Sequence, residues 1–131
     1  MDDETRRVRI REFAEAINTH DMDVFDAFYH DDVIIEWPQS GEAICGKRNI
    51  RELRLAYPTP PTAILRRIAG SGDLWVMEMA FDYDGDRFHV IILHQYRNGL
   101  VIRETSYYAA PFQAPAWRAR WVKSAPTSAP N

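Results

Sequence analysis

The sequence predicts an α+β domain, with helices first and an antiparallel meander afterwards. Apolar residues recur at three- and four-residue spacing up to Tyr57, interrupted by one short β-rich run. Beyond the Pro58-Thr59-Pro60-Pro61 break almost every segment is rich in β-formers. Turn signals at Gly70-Ser71-Gly72, Asp84-Gly85 and Asn98-Gly99 divide that half into four strands.

Taken in order, residues 4–19 form an amphipathic helix with Ile10, Phe13, Ala14 and Ile17 on its inner face and Asp2 or Asp3 as the cap. Asp21 caps a second, short helix that carries Val24, Phe25, Phe28 and Tyr29 on one face. Asp31-Asp32 ends it, and DVIIEWP (32–38) reads as a strand closed by Pro38. GKRNIRELRLAY (46–57) is a third helix, with Ile50 and Leu53 inward, stopped by the prolines. The strands follow at 62–69, 73–83, 86–97 and 100–109. Residues 1–110 read as one domain. Residues 111–131 read as an extension, a short Trp117/Trp121 segment followed by a Ser/Ala/Pro tail whose composition predicts disorder.

With 131 residues the chain is long enough for one substantial core. A formal charge of −3 with no Lys/Arg cluster argues against nucleic acid as a partner. The charged start MDDETRRVRI is unlike a signal peptide, and no apolar run is long enough for a membrane span. Cys45 is the single cysteine, which fits a reducing cytoplasm and a small buried side chain. No Cys/His spacing suggests a metal and no Gly-rich phosphate loop is present, so no cofactor is expected.

A two-residue turn at Asp84-Gly85 pairs Phe81 with Phe88, Met79 with Val90, Met77 with Ile92 and Trp75 with His94. That stripe is the more apolar face and should look toward the helices. The opposite face, with Glu78, His89, Ile91 and Leu93, suits a partly exposed surface or a dimer contact. The next hairpin has two registers. A three-residue loop with Gly99 as a bulge places Tyr96 opposite Leu100 and Ile92 opposite Glu104, and turns Ile102, Glu104, Ser106 and Tyr108 inward. A plain two-residue turn turns Arg103, Thr105 and Tyr107 inward instead. The bulged form is preferred because it spares the core an unpaired guanidinium.

The segments FYHDDVIIEWP and YRNGLVIRE, in this order of elements, resemble the nuclear-transport-factor-2-like superfamily. The nearest branch is its SnoaL-like, polyketide-cyclase-related proteins, and the likeness covers about residues 5–110. It implies a cystatin-like cone: a curved antiparallel sheet wrapped around three N-terminal helices, with a pocket at the open end. The superfamily includes ketosteroid isomerases, epoxide hydrolases, dehydratases, polyketide cyclases and non-catalytic binders. The isomerase machinery does not carry over. Its base falls on Trp37, its oxyanion-hole tyrosine on Phe13, and its oxyanion-hole acid near Ile92 or His94. One supporting tyrosine falls on Arg54, while another is kept as Tyr29. The Arg-x-Asp strand signature of the epoxide hydrolases is absent as well.

The residues left for chemistry are His94 and Glu104, placed diagonally on adjacent strands of one face and within hydrogen-bond reach. Apolar walls and mutual attraction act in opposite senses on such a pair, so titration near neutrality is expected. An acidic group on the last strand is part of the SnoaL-like resemblance. Glu104 is then the acid or base, with His94 as its partner or as carbonyl polariser. Tyr29, Trp37, Arg54, Trp75, Met77, Met79, Ile92, Tyr96 and Tyr108 are the candidate substrate-binding residues. A satisfied structural pair, with Arg54 or Arg103 neutralising Glu104, is the competing reading, and the Trp and Met residues serve equally as plain core. His20 and His30, at helix ends, read as structural.

The expectation is a small cofactor-free acid–base enzyme (cyclase, isomerase or dehydratase) acting on a hydrophobic carbonyl compound. The alternative is a non-catalytic small-molecule-binding or dimeric interaction module of the same fold. A homodimer is expected, through the outer sheet face and the Trp segment.

Overall fold

A computed structural model describes residues 1–125 of the chain. Helix α1, Asp3–Thr19, starts where the Asp2 side chain accepts a hydrogen bond from the Thr5 amide at 2.8 Å. It ends at His20, which adopts the left-handed conformation with φ 55°. Ile10, Phe13, Ala14 and Ala16 are buried, and so is Arg6 on the same stripe. Asp21 caps α2, Met22–Asp26, by accepting from the amides of Asp23 and Val24. Phe28 and Tyr29 do not continue this helix. The Phe28 carbonyl accepts from the Val101 amide at 2.9 Å, and Tyr29 opens strand β1, Tyr29–Trp37. Pairing with the last strand thus overrides the helical spacing of residues 24–29.

Strand β2, Glu42–Cys45, pairs antiparallel with β1 across a turn at Pro38–Gly41. It has four residues and little apolar alternation, so periodicity gives no sign of it. Cys45 is exposed there rather than buried. Helix α3, Lys47–Leu55, buries Ile50, while Leu53 is partly exposed. The strands β3 (Thr62–Ser71), β4 (Leu74–Tyr83), β5 (Asp86–Arg97) and β6 (Leu100–Ala109) complete one curved, unclosed sheet in the order β2-β1-β6-β5-β4-β3. Among the described residues only the β1–β6 pairing is parallel. Helices against one face of this sheet give the α+β cone.

The β4–β5 register is the expected one, Trp75 opposite His94 and Met77 opposite Ile92. The β5–β6 hairpin differs. Asn98 and Gly99 both have positive φ, 52° and 79°, and form a two-residue turn with Arg97 opposite Leu100. The bulge lies farther along: Tyr96 pairs with Val101 and Gln95 with Arg103, so Ile102 is the extra residue. Val101, not Ile102, is therefore the buried residue at that level. Glu104 still turns inward, directly opposite His94 rather than diagonal to it, and Ile92 faces Ser106. Arg103 points outward to Glu36, with Nη2 2.5 Å from its carboxylate.

The core combines Phe13 of α1, Phe25 of α2 and Phe28 just before β1 with the β4–β5 stripe of Trp75, Met77, Met79, Phe81 and Val90. Beyond β6 the chain makes a single 3₁₀ turn, Ala116–Arg118, and leaves Phe112, Trp117, Trp121 and Val122 exposed. The tail expected to be disordered lies, from residue 126 onward, outside the described residues.

Gly70 belongs to β3 rather than to the turn, which falls at Gly72-Asp73. A Cβ at Gly70 would stand 2.5 Å from the Leu74 carbonyl oxygen and 2.8 Å from the Trp75 Cα, with φ at +148°. Both neighbours are backbone and cannot swing aside. Gly70→Ala is expected to cost about 3 kcal/mol, near the top of the overpacking range, as read from urea unfolding.

Candidate functional site

The bulge at Ile102 decides which side chains meet in the interior. It places Glu104 on the inner face, flanked by Ile35 of β1 and His94 of β5. His94 is wholly inaccessible and Glu104 is 5% exposed. One carboxylate oxygen, Oε1, sits 2.7 Å from His94 Nε2 and accepts from the Tyr29 hydroxyl at 2.6 Å. The other, Oε2, has the Arg54 guanidinium 3.9 Å away. Arg54 Nη2 also donates to the Tyr29 hydroxyl at 3.1 Å, and its guanidinium lies over the Phe25 ring at 3.9 Å. At the other edge of the imidazole, Nδ1 is 3.2 Å from the Tyr96 hydroxyl. Phe13 meets the ring edge-on, with centroids 4.6 Å apart.

Burial is the largest influence on the Glu104 carboxyl and pushes its pKa up. The His94 hydrogen bond, the Arg54 charge and the Tyr29 hydrogen bond together outweigh it, and hold the group below the usual carboxylate range. Glu104 is therefore held as the anion at neutral pH. Burial likewise pushes the Tyr29 hydroxyl well above its ordinary value, so it stays a donor. For Arg54 burial works against the charge, but Tyr29 and Glu104 reverse it, and the guanidinium is held charged.

A cavity of about 830 Å³ opens beside this cluster. Glu104 and Arg54 border it, together with Trp37, Ile92 and Tyr108 from the expected set. Tyr29, Trp75, Met77, Met79, His94 and Tyr96 lie instead in the packed interior, all at most 7% exposed. His94 thus touches Glu104 from behind and does not border the cavity. Sequence reasoning missed most of the mouth: Tyr57, Pro60 and Pro61 from the α3–β3 connection, Tyr83 and Phe88 from the hairpin end, and His20. His20 reaches the Pro61 carbonyl with Nε2 at 2.9 Å, and so ties α1 to that connection. The proline break was the available signal, because a loop following a helix over an open sheet end must cross its mouth. Tyr57 and Tyr83 stack with an interplanar angle of 19°. Burial chiefly raises the Tyr108 hydroxyl to about 12, against the opposing charge of Arg54 and a smaller effect of Trp37.

Among the described residues no three His, Cys, Asp or Glu side chains gather as a metal site, and no helix is long and apolar enough to cross a membrane.

The model of the SnoaL-like domain matches residues 10–104, from the middle of α1 to the carboxylate itself. The chain belongs to the SnoaL-like domain family. The crystal structure of an NTF-2 like protein of unknown function from Burkholderia xenovorans LB400 is similar, with 37% identity over 96% of this chain and 99% of that one and a TM-score of 0.88. A protein from Kribbella flavida DSM 17836, provisionally named a ketosteroid isomerase, shares the fold with 22% identity, 98% and 95% coverage and a TM-score of 0.86. An epoxide hydrolase of LEH-like type from M. tuberculosis shares it with 23% identity, 76% and 78% coverage and a TM-score of 0.64. No curated protein matches the sequence. SnoaL-like membership accounts for the cone and its open end, while the chemistry rests on the side chains there.

The low carboxyl pKa ties stability to pH. The folded group ionises below its unfolded value of about 4.3, so its stabilisation is complete above that pH and is lost as pH falls through the folded value. Glu104→Gln is expected to cost about 3 kcal/mol at pH 7, because it leaves buried charge partners uncompensated. The gap to the unsubstituted protein should narrow below pH ~4. Chemical denaturation across a pH series reads both.

Proposed function

We propose that this protein is a cofactor-free proton-transfer enzyme that binds a flat, hydrophobic carbonyl compound. Cyclisation, isomerisation and dehydration all begin with the step assigned to it. One observation supports this reading above the others. At the inner end of an aromatic-walled cavity stands an ionised carboxylate with one oxygen engaged by two partners and the other met, among the described residues, only by the Arg54 guanidinium at 3.9 Å.

In this reading Glu104 Oε2 takes a proton from the carbon next to the carbonyl. The C–H electron pair moves into the new C=C bond, and the carbonyl π pair moves onto oxygen. Arg54 stabilises the resulting enolate, as a preorganised cation in a poorly hydrated site does best. Glu104 then returns the proton at another atom of the ligand. His94 acts as a positioning residue behind the carboxylate, and Arg54 takes the polarising role that sequence reasoning gave to His94. A carboxylate held below its usual pKa is a weak base. The substrate C–H must therefore be acidic, flanked by a carbonyl and a conjugated or aromatic system.

The test uses a panel of aromatic ketones, with binding read by thermal shift and proton abstraction by hydrogen–deuterium exchange at the α-carbon in D₂O. Glu104→Gln should keep affinity within a few-fold and lose exchange by about 10²-fold or more. Arg54→Met should lower the exchange rate at saturating ketone. Binding without exchange in the unsubstituted protein would instead favour the non-catalytic module, a reading supported by Trp37 and Phe13 standing where the isomerases carry their base and hydroxyl.

The proposed macromolecular partner is a second copy of the chain. The exposed Phe112, Trp117, Trp121 and Val122 support it, since four large apolar side chains within eleven residues are seldom all left bare. Truncation after Pro111 is expected to shift sedimentation toward the monomer. A truncated protein that sediments unchanged, with equal stability, refutes the role of the arm.

A further inference from the structure

The inner stripe of α1 contains one residue that hydrophobic burial does not explain. Arg6 stands one helical turn before Ile10, is 4% exposed, and keeps both Nε and Nη1 buried without a hydrogen-bond partner. No ion pair involving Arg6 occurs among the described residues. Its guanidinium carbon lies 3.6 Å from the centroid of the Tyr96 ring. From there contacts run without a break: the Tyr96 hydroxyl to His94 Nδ1 at 3.2 Å, His94 Nε2 to Glu104 Oε1 at 2.7 Å, and Glu104 to the cavity.

We infer that Arg6 is a positioning residue, whose cation on the Tyr96 ring makes the Tyr96 hydroxyl the donor to His94 Nδ1 and so keeps Nε2–H aimed at Glu104. An ionised carboxylate only accepts, so a 2.7 Å contact requires the hydrogen on Nε2. With the ring neutral, Nδ1 is then the acceptor and the Tyr96 hydroxyl donates to it; an imidazolium, which donates from both nitrogens, overturns the inference. A guanidinium over the ring face withdraws electron density from the phenol and strengthens its O–H as a donor. Burial raises the Tyr96 hydroxyl most, and Arg6 is the first influence opposing it. Arg9, from the same helix, also acts on Tyr96, but its charge is already engaged by Glu12 at 2.8 Å. The groups facing Glu104 are His94 and Tyr96 of β5, Tyr29 of β1, Tyr108 of β6 and Arg54 of α3. Arg6 reaches it only through Tyr96 and His94.

Two orphaned donors in the interior are a standing cost, and a Met of similar length would remove them. A residue kept only for packing would not be an arginine here. The experiment uses the full chain labelled with ¹⁵N in histidine and ¹³C in the glutamate carboxyl. The unsubstituted protein should show His94 as the Nε2–H tautomer. Arg6→Met should unfold at a urea concentration no lower than the unsubstituted protein, while the His94 Nδ1 resonance moves and the Glu104 carboxyl titrates at higher pH. Arg6→Lys, which keeps a cation, should restore most of both signals. Tyr96→Phe should move His94 in the same way, and adding Arg6→Met to it should change nothing further. Unchanged His94 and Glu104 resonances in Arg6→Met overturn the inference, as does an equal Arg6→Met effect in the Tyr96→Phe background. If Arg6→Met does not fold, an unmoved His94 in Tyr96→Phe overturns it alone. The inference rests on the proposed role of Glu104 only for its consequence in turnover. The resonances report the relay even if no ketone reacts.

Discussion

Glu104 is an anion almost sealed from water, and the interior is arranged around what such a charge requires. Desolvation alone would neutralise it. Two donors on one oxygen, a guanidinium near the other and an imidazole locked between Phe13 and Tyr96 reverse that outcome. Each of these partners comes from a different element: Tyr29 from β1, His94 from β5, Arg54 from α3. The carboxylate therefore acts as a joint between sheet and helices as well as a chemical group. Breaking it leaves several buried polar atoms unpaired at once, which is why the cluster behaves as a unit.

The joint exists because of one extra residue. A two-residue turn at Asn98-Gly99 followed by regular pairing would send Glu104 to the outer face and bring Arg103 inside. Ile102 absorbs that mismatch and resets the alternation, so Val101 and Glu104 both face inward. The physical demand that chose the bulged register in the sequence, keeping Arg103 out of the core, is met, but by a different residue from the one assumed. Arg103 instead pairs with Glu36 on the outer face. Bulges near sites commonly re-aim a side chain in this way, and here the re-aimed side chain is the one on which the proposed chemistry depends.

This separates what the sequence could disclose from what it could not. The Asp84-Gly85 turn and the alternation of β4 and β5 determined the inner stripe from Trp75 to His94 residue by residue, because a tight turn sets a register and burial sets a face. The location of the bulge was hidden, since Ile102 and Val101 are equally apolar and only three-dimensional pairing distinguishes them. Strand β2 was hidden because four exposed residues on an edge carry no pattern. Arg6 was invisible for the opposite reason. On an apolar helical stripe an arginine reads as a flank residue, and only the ring of Tyr96, distant in sequence, gives it a place inside. The cavity mouth depends on how the α3–β3 connection crosses the sheet end, which is set by tertiary packing and by no local periodicity.

The arrangement also limits what chemistry the cavity can support. A carboxylate meant to accept protons from ordinary ketones would be better left with fewer donors, so that its pKa rose toward neutrality. Here the donors lower it, which trades basicity for a constant charge and a fixed direction. Such a site favours substrates whose acidity is supplied by their own conjugation, and assigns to the protein the holding of an enolate rather than the force that makes one. Trp37, Tyr108 and the Tyr57–Tyr83 stack then have a consistent part, because a planar conjugated ligand is what flat aromatic walls accommodate best. The same features would serve a binder that recognises a planar ligand by one donor group pointed at Glu104. The two uses diverge only at Arg54: an enolate needs that cation close to the developing oxygen charge, whereas a neutral donor ligand gains nothing from it.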